Sequence, residues 1–410
     1  MKLKLHWQII IAMGAGLIIG LMSRSYGFDG FVSNQLSIVG DLFLRGLRMV
    51  MIPLIITSII SGVTSVGSKE NLERMGIRTF IYYMSTSLLA IVTGLVLVNV
   101  IRPGVGAKLG LEAIPKGLTA NGERFIDTLI NIIPKNPFKA IVDGDMLSII
   151  FFSLLLGFCI TIVNRKYRDT LTNFFQGLFE VMMKITHIVL FFAPYGIFSL
   201  IAKLVAQTGT EAFGPLGAYM LTVASALLIH AFITLPILLI VVGKIRPQKH
   251  IKAMSTALLT AFSTSSSSAT LPVTMESIEE NAGVSNKVSS FVLPLGATIN
   301  MDGTALYECV AVVFIAQVYG IDLSFAQQFV VVITALLASI GAAGIPMAGL
   351  VMMAVILNAV GLPLEAVGLI LAVDRVLDML RTTVNVWSDS CGAAIIASKE
   401  GEKLPIALKG

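Results

Sequence analysis

Charge is scarce in this 410-residue chain: Asp, Glu, Lys and Arg make up 13% of it, about half the share of a soluble domain. With 56% hydrophobic residues and a mean hydropathy of +0.88, that scarcity excludes an ordinary water-soluble fold and indicates a polytopic membrane protein. Cysteine is nearly absent. Cys159, Cys309 and Cys391 are odd in number and lie in apolar segments without metal-ligand spacing, which excludes a disulfide framework and a zinc site. Among the four histidines, His187 and His230 stand alone in apolar stretches and read as structural groups rather than ligands or proton carriers. The net charge of +5 is spread over particular loops, so no nucleic-acid partner is implied.

Apolar segments lie at about residues 8–23, 39–66, 77–101, 146–163, 172–205, 214–243, 287–319 and 364–398. The opening MKLKLHW resembles the start of a signal peptide but has no small-residue cleavage site after it, and reads as the beginning of a first transmembrane helix. Basic connections at Lys2 and Lys4, Lys69 to Arg78, Arg165 to Arg168, Lys244 to Lys252 and the tail from Lys399 alternate with basic-poor loops such as Gln207 to Phe213. The alternation predicts eight spans in the cell membrane with both termini cytoplasmic, the long connection from Pro103 to Asp145 lying outside.

Two further apolar stretches, Ile251 to Met275 and Phe329 to Leu357, are interrupted at Ser263–Ser268 and Ser339–Pro346. Each arm is too short to cross a bilayer and each break is rich in residues that end helices, so re-entrant helical hairpins are expected, at about 251–282 and 325–361. Both stretches carry Thr-Ala-Leu-Leu, at Thr256 and at Thr334, and their flanking loops differ in charge. Paired interrupted segments approached from opposite faces are the mark of an inverted-repeat secondary transporter.

The strongest functional signal is Asp374 to Asp389, with three carboxylates, two arginines and an asparagine in apolar surroundings. At about 100° per residue, Asp374, Arg375, Asp378, Arg381, Thr382, Asn385 and Asp389 share one helical face. Their stripe runs roughly 22 Å, most of a hydrocarbon core about 30 Å thick. An i, i+3 pair of Asp378 with Arg381 would by itself leave Asp374, Asn385, Asp389 and Asp302 unexplained. The segment Gly296 to Thr304, with Asn300 and Asp302, can unwind and turn carbonyls toward a hard cation. A buried arginine stays charged and seeks a carboxylate ligand, while Asp378 suits an ammonium group. The hydroxyls and amides of Ser266, Ser267 and Ser268 can take an α-carboxylate.

SSSSATLP, TINMDGTALYE, SIGAAGIPMAG and VDRVLDMLRTTVNVWSD resemble the motifs of the dicarboxylate/amino acid:cation symporter family, and the resemblance covers essentially the whole chain. The resemblance implies an all-α fold of eight transmembrane helices plus two re-entrant hairpins, working as a homotrimer by an elevator motion. Residues 1–75 and 103–210 would form the scaffold, and 76–102 with 211–410 the moving part. It also implies that Arg381, helped by Thr304, holds the substrate side-chain carboxylate and Asp378 the amino group. Asn385 and Ser267 would hold the α-carboxylate, with Thr382, Ile345 and Gly349 completing the pocket. Sodium ions, co-transported rather than resident cofactors, are expected at three places. These are Asp389 with the carbonyls of Gly296, Asn300 and Asn385; Asp302 with Asn300, Tyr83, Thr86 and Ser87; and the carbonyls of Thr298, Ser339, Ile340 and Ala342.

Within that family the presence of Arg381 argues against neutral substrates, and Asp378 against diacids without an amine. Asp389 and an acid-free serine tip favour sodium over protons. Sodium-coupled uptake of L-aspartate or L-glutamate is therefore expected, with proton-coupled symport or neutral amino acid transport as alternatives. Ser265 and Met379 stand where relatives often carry a further arginine; Arg375, on the polar face, is the residue available for that role, and Met347 marks a variable position of the second hairpin. Enzyme classes fit poorly: neither the Gly-x-Gly-Asp of an intramembrane aspartyl protease nor the Gly-x-Ser-Gly of a rhomboid-like protease occurs. An ion channel would not need the Asp378 and Arg381 pair.

Overall fold

A computed structural model describes residues 5–65, 70–107, 133–143, 146–208, 213–341 and 348–408. Ala342, Ile345, Met347 and most of the Pro103–Asp145 connection lie outside them. The described chain is helical, its only β-type pairing being an isolated bridge between Ile245 and Ala407. Helices α1 (Leu5–Tyr26), α2 (Ser37–Ser65), α3 (Glu70–Ile101), α4 (Met146–Ile162), α5 (Arg165–Phe191) and α6 (Ala193–Thr208) come first. The single apolar run expected at 172–205 is two helices, because Pro194 has no N–H to continue α5 and instead sits in the first turn of α6.

Next comes α7 (Phe213–Ile229), which passes through a π-turn at His230–Thr234 into α8 (Leu235–Val241). A short α9 (Pro247–Ala253) leads to α10 (Ser255–Thr264) and α11 (Ser267–Glu276). These two arms pack against each other, each ten residues long and so only about 15 Å, half a bilayer. Their turn follows from its residues. Ser265 takes the left-handed conformation at φ 50° to end α10, and the Ser266 hydroxyl accepts the Ala269 N–H at 3.1 Å to start α11.

Helices α12 (Asn286–Ile299) and α13 (Asp302–Val318) are one rod interrupted at Asn300 and Met301, both with non-helical dihedrals. Helices α14 (Phe325–Gly341) and α15 (Ala348–Ala359) pack as a second pair, and α16 (Val367–Lys399) closes the helical order. Beyond it the tail lies along the preceding loops: Arg246 donates its backbone N–H to Ile406 at 2.9 Å, and Leu408 donates to Lys244 at 2.8 Å.

Two sets of contacts organise the helices. α1 lies along α6, and α2 packs on α4, α5 and α6; separately, α16 is surrounded by α10, α12 and α13, with α3 lying along α13. The sets meet where α6 touches α16 and where α2 touches α14 and α15. Among the described residues, Met75–Ile101, Gly214–Val241 and Asn286–Val318 are long and apolar enough to cross a membrane, the apolar window of the last being buried inside the protein. Large apolar side chains such as Ile18, Leu42, Val96, Phe174 and Leu221 face outward on α1, α2, α3, α5 and α7, as lipid-facing surfaces require.

Candidate functional site

The polar stripe of α16 points into the protein: Asp374, Arg375, Asp378, Arg381, Thr382, Asn385 and Asp389 are all buried. Opposite them lies the break between α12 and α13, and the two elements satisfy each other. Asn385 Oδ1 accepts the Gly303 N–H at 2.8 Å, capping the exposed start of α13, while its Nδ2 donates to Thr304 Oγ1 at 3.0 Å. Gly303 is required here, since a Cβ would run into the Arg381 backbone.

Arg381 is the centre of one half of the site. Its Nε and Nη2 donate to Asp378 Oδ1 at 2.9 and 2.8 Å, and Nη1 stands 3.5 Å from Asp374 Oδ1. The guanidinium lies over the Tyr307 ring, 4.5 Å from its centroid, and the Tyr307 hydroxyl donates to Asp374 Oδ1 at 2.6 Å. From α15, Gly349 comes so close that a Cβ there would strike the guanidinium. Arg375 also reaches Asp378, Nη1 to Oδ2 at 3.4 Å. Glu308, one residue beyond Tyr307, is buried and neither of its carboxyl oxygens makes a hydrogen bond.

The second half is built from hard oxygens around the break. Asn300 Nδ2 donates to Asp389 Oδ1 at 2.9 Å and to Ser388 Oγ at 3.0 Å, and its Oδ1 accepts Thr86 Oγ1–H at 3.3 Å. Asp302 Oδ1 accepts from Ser87 at 2.6 Å, while Oδ2 accepts from Ser388 at 2.6 Å and lies 3.0 Å from His230 Nε2. Gly296 lets Asp389 and the Tyr83 hydroxyl approach its backbone, and that hydroxyl donates to the Val292 carbonyl at 2.7 Å. Among the described residues no three of His, Cys, Asp and Glu cluster as a transition-metal site would need. Carboxylate, amide, hydroxyl and carbonyl oxygens suit an alkali cation instead.

The structure thus brings together Arg381, Asp378, Thr304, Thr382, Asn385 and Gly349 on one side of the break, and Asp389, Asp302, Asn300, Gly296, Tyr83, Thr86 and Ser87 on the other. The Asn385 side chain bonds the start of α13. At the first hairpin Ser266 and Ser267 are buried, whereas Ser268 is exposed and turned away. Thr298 is exposed, with its hydroxyl bonded back to the Leu295 carbonyl at 2.9 Å; Ser339 and Ile340 are buried at the end of α14. Sequence reasoning missed the tasks of Tyr307 and Ser388 and read His230 as a structural group. His230, at the start of the π-turn, meets Asp302, 72 positions away. A lone histidine in a long apolar run was the available signal.

A profile of the Sodium:dicarboxylate symporter family matches residues 5–399. The chain belongs to the sodium:dicarboxylate symporter family. It is 37% identical over 408 residues to the proton/sodium-glutamate symport protein of Geobacillus stearothermophilus, covering 98% of this chain and 96% of that one. Similarity to excitatory amino acid transporter 1 of Ambystoma tigrinum is 39% over 445 aligned residues, covering 94% and 81%. The proton/glutamate-aspartate symporter of Escherichia coli strain K12 is 35% identical, covering 97% and 93%. As a member of a symporter family the chain is a multi-pass membrane transporter rather than an enzyme. The α16 stripe and the broken α12–α13 rod are the two polar surfaces that face each other inside it.

Proposed function

We propose that this transporter takes up L-aspartate or L-glutamate together with sodium ions. The observation that carries the reading is the pairing of Arg381 with Asp378 on one buried face of α16, opposite the Thr304–Asn385 pair. An acidic amino acid offers a carboxylate for the first, an ammonium for the second and an α-carboxylate for Asn385 and the buried tip at Ser266 and Ser267. A zwitterion without a side-chain carboxylate would leave Arg381 unanswered, which speaks against neutral amino acids. Sodium is the cargo suited to Asp389, Asn300 and Gly296, to Asp302 with Thr86, Ser87 and Tyr83, and to the carbonyls near Thr298, Ser339 and Ile340. Names such as proton/sodium-glutamate symport protein and excitatory amino acid transporter agree with this substrate class.

In the same reading α10–α11 and α14–α15 are re-entrant hairpins closing the site from opposite faces. α1, α2 and α4 to α6 form the scaffold of a homotrimer, and the set around α16 slides as an elevator, with both termini in the cytoplasm. Coupling to protons is the second reading. It is favoured by His230 at Asp302 and by the buried, unbonded Glu308, two groups able to carry a proton.

Uptake of labelled L-aspartate and L-glutamate into proteoliposomes separates the two, comparing an imposed inward sodium gradient with a proton gradient at equal sodium. Sodium-driven uptake supports the first reading and proton-driven uptake the second. Absence of uptake of either amino acid refutes both.

A further inference from the structure

Arg375 has no task in that reading, yet it is buried at a depth where an idle charge is costly. It stands one turn before Asp378 and approaches Oδ2 at 3.4 Å, while Arg381 approaches Oδ1 from the other side at 2.8 Å. Asp378 therefore faces one guanidinium on each oxygen. If Arg381 turns toward a substrate carboxylate, as the proposed function requires, Oδ1 opens to the incoming ammonium and Arg375 stays with Oδ2.

We infer that Arg375 is a resident counter-cation of Asp378, and that it sets how strongly the pocket separates an acidic amino acid from the same diacid without its amine. The inference rests on the substrate reading above. A diacid lacking the ammonium draws Arg381 away from Asp378 and brings nothing in exchange. With Arg375 in place Asp378 still has a cation. Without it, a buried carboxylate is left uncompensated, the costly outcome of breaking a buried pair. An amino acid supplies its own ammonium and needs Arg375 far less. Because Arg375 shares α16 with Asp378, this compensation travels with the site and is independent of either hairpin.

The test is sodium-dependent binding of L-aspartate and of succinate, its amine-free counterpart, to the purified full-length transporter and its Arg375→Met, Arg375→Gln and Arg375→Lys variants. Wild type is expected to bind succinate measurably, though more weakly than L-aspartate. Arg375→Met and Arg375→Gln are expected to weaken succinate by about tenfold or more, as loss of a buried charge partner should, and L-aspartate far less, so that the succinate-to-aspartate affinity ratio falls. Arg375→Lys should restore the wild-type ratio. The inference is overturned if wild type binds no succinate, or if the succinate-to-aspartate ratio is the same in all four proteins, which is what a purely structural i, i+3 pair predicts. Should Arg375→Met fail to fold, Arg375→Gln, similar in shape and uncharged, decides the matter. Wild-type protein that binds neither L-aspartate nor L-glutamate would instead strike the substrate reading itself.

Discussion

Replacing Arg381 by alanine removes the cation around which one half of the site is built. The wild-type guanidinium holds Asp378 through two contacts at 2.8 and 2.9 Å, lies 4.5 Å from the Tyr307 ring centroid and is hemmed in by Gly349. In the bound state it would exchange those contacts for a substrate carboxylate. Two charge-assisted hydrogen bonds at about 1.5 to 3 kcal/mol each give a gross loss of about 3 to 6 kcal/mol. Part of that is offset because the variant no longer has to break the Asp378 contacts first, leaving about 2 to 4 kcal/mol, or about 30- to 10³-fold in Kd. Folding should survive, since Asp378 keeps Arg375 and Asp374 keeps the Tyr307 hydroxyl. The vacated space is bounded by Tyr307, so serine or alanine should gain affinity as aspartate loses it. Calorimetric titration with L-aspartate, L-glutamate and L-serine in saturating sodium checks this. Aspartate affinity within tenfold of wild type, in a folded protein, would refute the role given to Arg381.

Asp389→Asn keeps the shape of the Asn300 contact but removes a charge from the proposed sodium site, whose affinity should follow ligand charge. The sodium concentration for half-maximal aspartate binding should rise about tenfold or more, and an unchanged sodium titration would contradict the assignment. Gly349→Ala places a methyl against the movable end of Arg381, so aspartate affinity should fall by about 1 to 3 kcal/mol, with little change in thermal unfolding. Gly303→Ala meets the Arg381 backbone, which cannot swing away; its cost should appear in unfolding temperature and expression, and equal thermal stability of the two glycine variants would be the failing result. His250 lies in the basic connection between α8 and the first hairpin, with its ring 5.1 Å from Trp387 and Nε2 3.2 Å from Ser390 Oγ. Burial pushes its imidazole from 6.5 down to about 4. Because the folded value lies below the unfolded one, the neutral ring stabilises fully above pH 6.5. That contribution, on the order of 3 kcal/mol, is lost as pH falls toward 4. Unfolding temperature measured across this window should fall less steeply in His250→Gln than in wild type.

Much of this protein follows from local pattern. The scarcity of charge and the long apolar runs specify a membrane solvent, and a helix is how a chain satisfies its backbone there. The 3.6-residue period puts Asp374 to Asp389 on one face of α16. Residues that end helices mark the first hairpin tip at Ser265 and the break at Asn300. Each of these depends on neighbours along the chain, so the sequence by itself determined them.

What tertiary structure decided is which polar groups meet across helices. His230 against Asp302, Tyr307 against Asp374, Ser388 against Asp302, and Asn385 capping Gly303 all join residues 67 to 86 positions apart. No spacing rule encodes those pairs, because they arise from how the helices that carry them cross one another. Even Arg375 and Asp378, three residues apart, needed the packed structure. Sequence period puts both on the polar face, but only burial beside Arg381 makes two guanidiniums share a single carboxylate.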